Sequence, residues 1–128
     1  MNRPAVVAEV EEQFRRYEQA LVSNDVATLD AMFRHDDRTI RYGVAENLYG
    51  HKEVAAFRAG RSPIGLGRTT SRTVITTYGR DCAVASTLFH RPTLAGRVGR
   101  QMQTWVRFPE GWRVVAAHVS IIDAPREA

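Results

Sequence analysis

The chain has 128 residues, 44% hydrophobic and 9% aromatic, enough for one compact domain with one core and too few for a second. Its formal net charge is +4, but of the 18 basic residues Lys52 is the only lysine, and the 17 arginines are spread through every segment instead of gathering with aromatics on one strip, which argues against nucleic acid. No run of about eighteen apolar residues exists, and Glu9, Glu11 and Glu12 stand where a leader would be basic and apolar, so neither a membrane span nor a signal sequence is expected and a cytoplasmic protein is predicted.

Pro4 suits a first helical turn, and Val6, Val7, Val10, Phe14, Tyr17 and Leu21 recur at helical spacing, which predicts a helix ending near Ser23-Asn24. Asp25 is placed to cap a second, shorter helix whose apolar side is Val26, Leu29, Met32 and Phe33. Thr39 to Tyr42 reads as a short strand, Gly43 to Ala45 as a turn and Glu46 to Tyr49 as a return. A third helix is expected from His51 to Arg61, stopped by the glycines and proline of Ser62 to Gly67.

Beyond that break the pattern turns to β, in runs Arg68 to Tyr78, Asp81 to Arg91, Gly99 to Phe108 and Trp112 to Ile122, with a loose tail over Ala124 to Ala128. Three helices followed by long antiparallel strands make an α+β plan. The single cysteine, Cys82, lies in a strand-like run without a group arranged to activate it and reads as a small buried hydrophobe.

Helix, short helix, strand, helix and curved meander together resemble the NTF2-like, SnoaL-like cone, and Gly111 to Ser120 looks like its final strand. More narrowly, Arg41-Tyr42-Gly43, Glu46 to Gly50, Phe57-Arg58 with Arg61, Gly99-Arg100-Gln101 with Gln103-Thr104-Trp105, and His118-Val119-Ser120 resemble the AtzH-like family. Genes of that family accompany amide hydrolases of s-triazine (cyanuric acid) and oxalurate breakdown. Met102 departs from the serine expected between the two glutamines. The resemblance implies binding roles for Tyr42, Glu46, Arg58, Arg61, Arg100, Thr104, Trp105 and Ser120. By residue type alone Arg58, Arg61 and Arg72 read as solvated surface arginines.

A more distant likeness joins Arg16 to Leu21, Asn24-Asp25 and Ala31 to Phe33 to the opening of the ketosteroid isomerases. In those enzymes the residue matching Tyr17 donates a hydrogen bond to a developing oxyanion. The isomerase base falls at about Tyr42 and its protonated carboxylic acid at about Thr104, so both carboxyls are missing. Without a proton acceptor beside the substrate carbon, ketosteroid isomerisation is discarded.

If Pro109-Glu110-Gly111 is a three-residue loop, Phe108 faces Trp112, Thr104 faces Ala116, Met102 faces His118 and Arg100 faces Ser120, all on one side of the sheet. The match of Thr104 to the isomerase pocket suggests that this side lines the cone. A loop one residue longer or shorter would exchange the faces. His118 is then either a pocket acid or base or a core histidine satisfied by Ser120 or a carbonyl. Arg41 either pairs with Glu46 across the tight turn or points into the pocket, where an anionic ligand would supply the charge that a buried guanidinium requires.

His35, Asp36, Asp37, His51 and His90 lack the spacing that converges ligands on one ion, so no metal is expected, and no cofactor. The stretch Gly60 to Gly67 lacks a P-loop lysine and reads as a flexible lip. The opposite side of the last strands is apolar enough to need a cover, which predicts a homodimer through the sheet. Two functions follow. One is a pocket for a small anionic ligand, a carboxylated amide or urea, with Arg41 gripping a carboxylate, Tyr17 bonding a carbonyl, His118 as acid or base, and hydrolysis or decarboxylation as the chemistry. The other is a non-catalytic dimeric accessory subunit of an amide-hydrolase partner.

Overall fold

The computed structural model describes residues 1–124; of the tail expected over 124–128, positions 125–128 lie outside the described residues. Its elements run α1 (Pro4–Val22), α2 (Val26–Met32), β1 (Ile40–Tyr42), β2 (Asn47–Tyr49), α3 (His51–Ala59), β3 (Thr69–Tyr78), β4 (Cys82–His90), β5 (Arg97–Phe108) and β6 (Gly111–Asp123). The strands form one sheet in the order β2-β1-β6-β5-β4-β3, antiparallel except where β1 runs parallel to β6. This is the α+β cone: three helices packed on a curved sheet.

Local chemistry sets the helix boundaries. Pro4 starts α1, where its missing N–H is one that no helix would use. Asp25 caps α2 by accepting from the Thr28 N–H at 3.2 Å and from the Thr28 hydroxyl at 2.7 Å. The apolar stripe of α1, with Val6, Val10, Phe14, Tyr17 and Leu21, packs with Leu29, Phe33, Trp105 and Val114 into a single core. The indole N–H of Trp112 donates to Glu9 at 3.0 Å and ties β6 to α1. At the far margin of the sheet, Asn2 both donates its N–H to the Thr77 carbonyl at 3.0 Å and accepts from the Thr77 N–H at 2.9 Å.

The closing hairpin differs from the expected one in a consequential way. Its turn has two residues, so Phe108 pairs with Gly111 and Arg107 with Trp112. Val115 is then an extra residue on β6: Trp105 pairs with Val114 but Thr104 pairs with Ala116. The bulge restores the expected pairs Met102 with His118 and Arg100 with Ser120. It also exchanges the faces. Trp112 and Val114 point at the helices, and strict alternation would send His118 after them. Past Val115 the buried residues are instead Ala117 and Val119, while Ala116 and His118 are exposed. A second irregularity, between Ser71 and Val74, places Arg72 at a φ of 50° on exposed β3. Cys82 is half-buried at the start of β4, less enclosed than expected.

Candidate functional site

The side of the sheet that faces the helices is polar where a core would be apolar. On β5 the inward residues Gln101, Gln103 and Trp105 are 2%, 1% and 0% exposed. Across the strands Gln103 is flanked by Ala85 and Ala117, and Ala117 in turn by Arg41. Small alanines on both sides leave the long side chains of Gln103 and Arg41 standing above a low floor.

Five arginines converge over this floor, three of them matched by carboxylates. Arg41 donates to Glu46 at 2.9 Å, so the ion pair across the turn is formed, and its strand position beside Ala117 puts it on the helix-facing side of the sheet. Gly43 permits this, because a Cβ there would fall 1.7 Å from the Glu46 carboxylate. Arg58, 3% exposed, reaches Asp30 at 3.1 Å and lies 4.8 Å from the Phe33 ring centroid. Arg68 holds Glu18 with two nitrogens, donates to Gln101 at 2.9 Å and sits over Phe89.

Arg61 and Arg91 are the two without a carboxylate. Nε and Nη2 of Arg61 and Nε of Arg91 are buried with no partner among the described residues. Burial, then the charge of Arg58, and also those of Arg41 and Arg91, lower the pKa of Arg61 from its ordinary value, while Tyr17 acts in the opposite sense. Arg91 is lowered by burial and by Arg68, with Glu18 opposing. Guanidinium pKa values start so high that both groups stay charged. Tyr17, 3% exposed on α1, closes the floor edge-on to Trp105 with ring centroids 6.4 Å apart. This interior holds excess positive charge and unengaged N–H donors, and its carboxylates are already committed to arginines.

The structure brings together Tyr17, Arg41, Glu46, Arg58, Arg61 and Trp105, and separates the rest. His118, Tyr42, Thr104, Arg100 and Ser120 lie on the outer face, so the expectation that the side bearing His118 lines the cone is corrected by the Val115 bulge. His118 therefore has no contact with the arginine cluster, and the acid or base role expected of it has no counterpart there. Arg100 donates to the Ser120 hydroxyl at 3.2 Å on that outer side. Tyr42 stands edge-on to His118 and shares a hydroxyl contact of 3.2 Å with Tyr49. Tyr42 and Thr104, the positions matched to the isomerase carboxyls, lie on the outer face, and their inward neighbours are Arg41 and Gln103. Arg58 and Arg61, solvated by residue type alone, face inward. Sequence reasoning missed Arg68, Arg91, Gln101, Gln103, Glu18 and Asp30. The alternation Gln101-x-Gln103-x-Trp105 was the available signal, for it sets two carboxamides on the face of a buried tryptophan.

Val74, Ser86, Met102, His118 and Tyr42 are successive cross-strand partners and form one lateral row over the outer face. Val74 is 56%, Met102 54% and Tyr42 37% exposed. Among the described residues, no three His, Cys, Asp or Glu side chains gather to hold a metal ion, and no helix is long and apolar enough to cross a membrane.

A family model described as AtzH-like matches residues 1–125. The chain belongs to the AtzH-like family. No curated protein sequence matches it. Among solved structures, this AtzH-like chain is 57% identical to a Pectobacterium atrosepticum protein of the DUF3225 family with unknown function, at a TM-score of 0.93 over 95% of this chain and 94% of that one. It is 45% identical to a cystatin-like fold protein from Burkholderia xenovorans, with a TM-score of 0.93 and 97% of each chain covered. An NTF2-like superfamily protein from Salmonella enterica, 23% identical, gives a TM-score of 0.74 over 97% of this chain and 94% of that one, which shows the shared fold.

Proposed function

We propose that this AtzH-like chain is a small-molecule pocket protein that takes a small carboxylated amide or urea of s-triazine (cyanuric acid) or oxalurate-type nitrogen catabolism inside the cone. The observation that carries the reading is Arg61, whose Nε and Nη2 are buried without a partner among the described residues, beside Arg58, Arg41 and Arg91. A buried guanidinium left unpaired is costly, and a ligand carboxylate supplies the missing charge in fork geometry. Arg91 supports a second anionic group on the same ligand, and Tyr17 a hydrogen bond to a carbonyl oxygen. Glu18, Asp30 and Glu46 are each held by an arginine, which favours gripping an anion, and chemistry such as decarboxylation, over general-base hydrolysis.

The outer row supports a second, compatible role. Val74, Met102 and Tyr42 present an apolar strip that a second copy of the chain would cover, giving a homodimer able to serve as an accessory subunit of an amide hydrolase.

The test is a thermal-shift screen of small dicarboxylates, ureido acids and carboxylated biuret analogues on wild type, Arg61→Ala and Arg41→Ala. A ligand raises stability by mass action when it binds the folded form, so a shift in wild type that vanishes in Arg61→Ala supports the anion reading. Absence of any shift, with a hydrolase co-purifying, favours the accessory role.

A further inference from the structure

We infer that Gln101 and Gln103 are the specificity-determining residues of this interior, reading an acceptor oxygen at the centre of the ligand and rejecting a ligand that presents N–H there. The inference rests on the anion-receptor reading above and adds the part that charge alone does not decide.

The orientation of both carboxamides is fixed by their neighbours. Arg68 Nη2 donates to Gln101 Oε1 at 2.9 Å, and Trp105 Nε1 donates to Gln103 Oε1 at 3.1 Å. Guanidinium and indole nitrogens only donate, so each amide must turn its oxygen toward them and its NH2 away. The neighbours are themselves held: Arg68 by Glu18 and the Phe89 ring, Trp105 by complete burial.

What remains of each glutamine is a buried NH2 with no partner among the described residues. The two amides stand on one face of β5 two residues apart, roughly 7 Å along the strand. Together with Nε and Nη2 of Arg61 and Nε of Arg91, the buried unpartnered atoms of these four side chains are all donors. A fitting ligand carries acceptors at its ends for the arginines and a carbonyl or carboxylate oxygen between them for the glutamines. Neutral amides select by hydrogen bonding, and a site built this way rejects an analogue that leaves its buried donors unpaired far more strongly than an apolar pocket rejects a change of size. The class selected is the ureido or acyl-urea acid, over its guanidino counterpart of equal shape.

Isothermal titration of the full chain with ureidoacetate and with guanidinoacetate tests this, using wild type, Gln103→Glu, Gln101→Glu and Arg61→Ala. Each glutamate variant keeps the oxygen that Trp105 or Arg68 needs and replaces the NH2 by an acceptor. Wild type is expected to bind ureidoacetate and to bind guanidinoacetate at least tenfold more weakly. Either glutamate substitution should weaken ureidoacetate at least tenfold and admit guanidinoacetate. Gln101→Glu, next to the Arg68 guanidinium, provides the folded variant if Gln103→Glu fails to fold. Ureidoacetate binding lost in Arg61→Ala but unchanged in both glutamate variants would overturn the role of the glutamines and leave the anion receptor standing. No binding by wild type of ureidoacetate, oxalate or malonate would overturn both.

Discussion

Phe89 lies over Gly99 so closely that a Cβ on residue 99 would fall 2.1 Å from Cζ of the ring. The two are cross-strand partners of β4 and β5, and the same ring carries the Arg68 guanidinium 4.4 Å and the Arg91 guanidinium 5.2 Å from its centroid. Gly99→Ala should therefore act twice. Chemical denaturation is expected to show a loss of about 1–3 kcal/mol, the usual penalty of an overfilled core. Titration with a small dicarboxylate should show weaker binding, because the platform under both arginines has moved.

Asp30 compensates the buried Arg58, and removing it strands a guanidinium that is 3% exposed. Asp30→Ala should lower unfolding free energy by about 2 kcal/mol or more, whereas Arg58→Met, which removes charge and keeps volume, should be milder. Equal losses in urea titrations of the two variants would show that the pair adds nothing beyond packing.

Much of this architecture was legible from side-chain periodicity alone. Pro4, the Asp25 cap and the stripe from Val6 to Leu21 located the first two helices, and the β runs located the meander. The face of the last strand was not legible, since a bulge adds one residue without altering composition or local propensity, and Val115 looks like its neighbour Val114. The arginines posed a related difficulty: nothing in the type or spacing of Arg61, Arg68 and Arg91 tells a solvated guanidinium from one folded inward. Only the return of distant strands over Phe89 and Trp105 decides that.

Deletion of Val115 tests the bulge directly. Removing the extra residue joins Val114 to Ala116 in unbroken alternation, so Ala117 and Val119 stay on the helix side and His118 stays outside, and the shortened chain is expected to keep its near-ultraviolet circular dichroism and cooperative melting. Loss of the cooperative fold would show that the local twist of the bulge is itself required.

On the outer face, Met102 stands between Ser86 and His118 at the middle of the lateral row. Met102→Glu should convert a sheet-paired dimer to monomer in sedimentation velocity at micromolar concentration, while His118→Ala should leave anion binding within about twofold. Wild type that sediments as monomer under the same conditions would remove the case for pairing through this face.

Asp25 offers a pH test. The Thr28 hydroxyl and then its N–H hold the Asp25 carboxyl below the usual range, so the folded state favours the ionised form. That contribution is complete above the unfolded pKa of roughly 4 and is lost as pH falls through the lowered folded value. Melting temperatures of wild type and Asp25→Asn should thus differ most at neutral pH and converge in acid.

Asn2 offers Thr77 one donor and one acceptor, the two groups that a further strand would have offered at that position. A sheet that ends in an exposed strand invites any passing extended chain to continue it. Here Asn2 occupies that rung, so the edge of β3 is covered at Thr77. An affinity tag joined ahead of Met1 pulls on this rung, and loss of solubility in a tagged form would trace to an unsealed border while the interior remained intact.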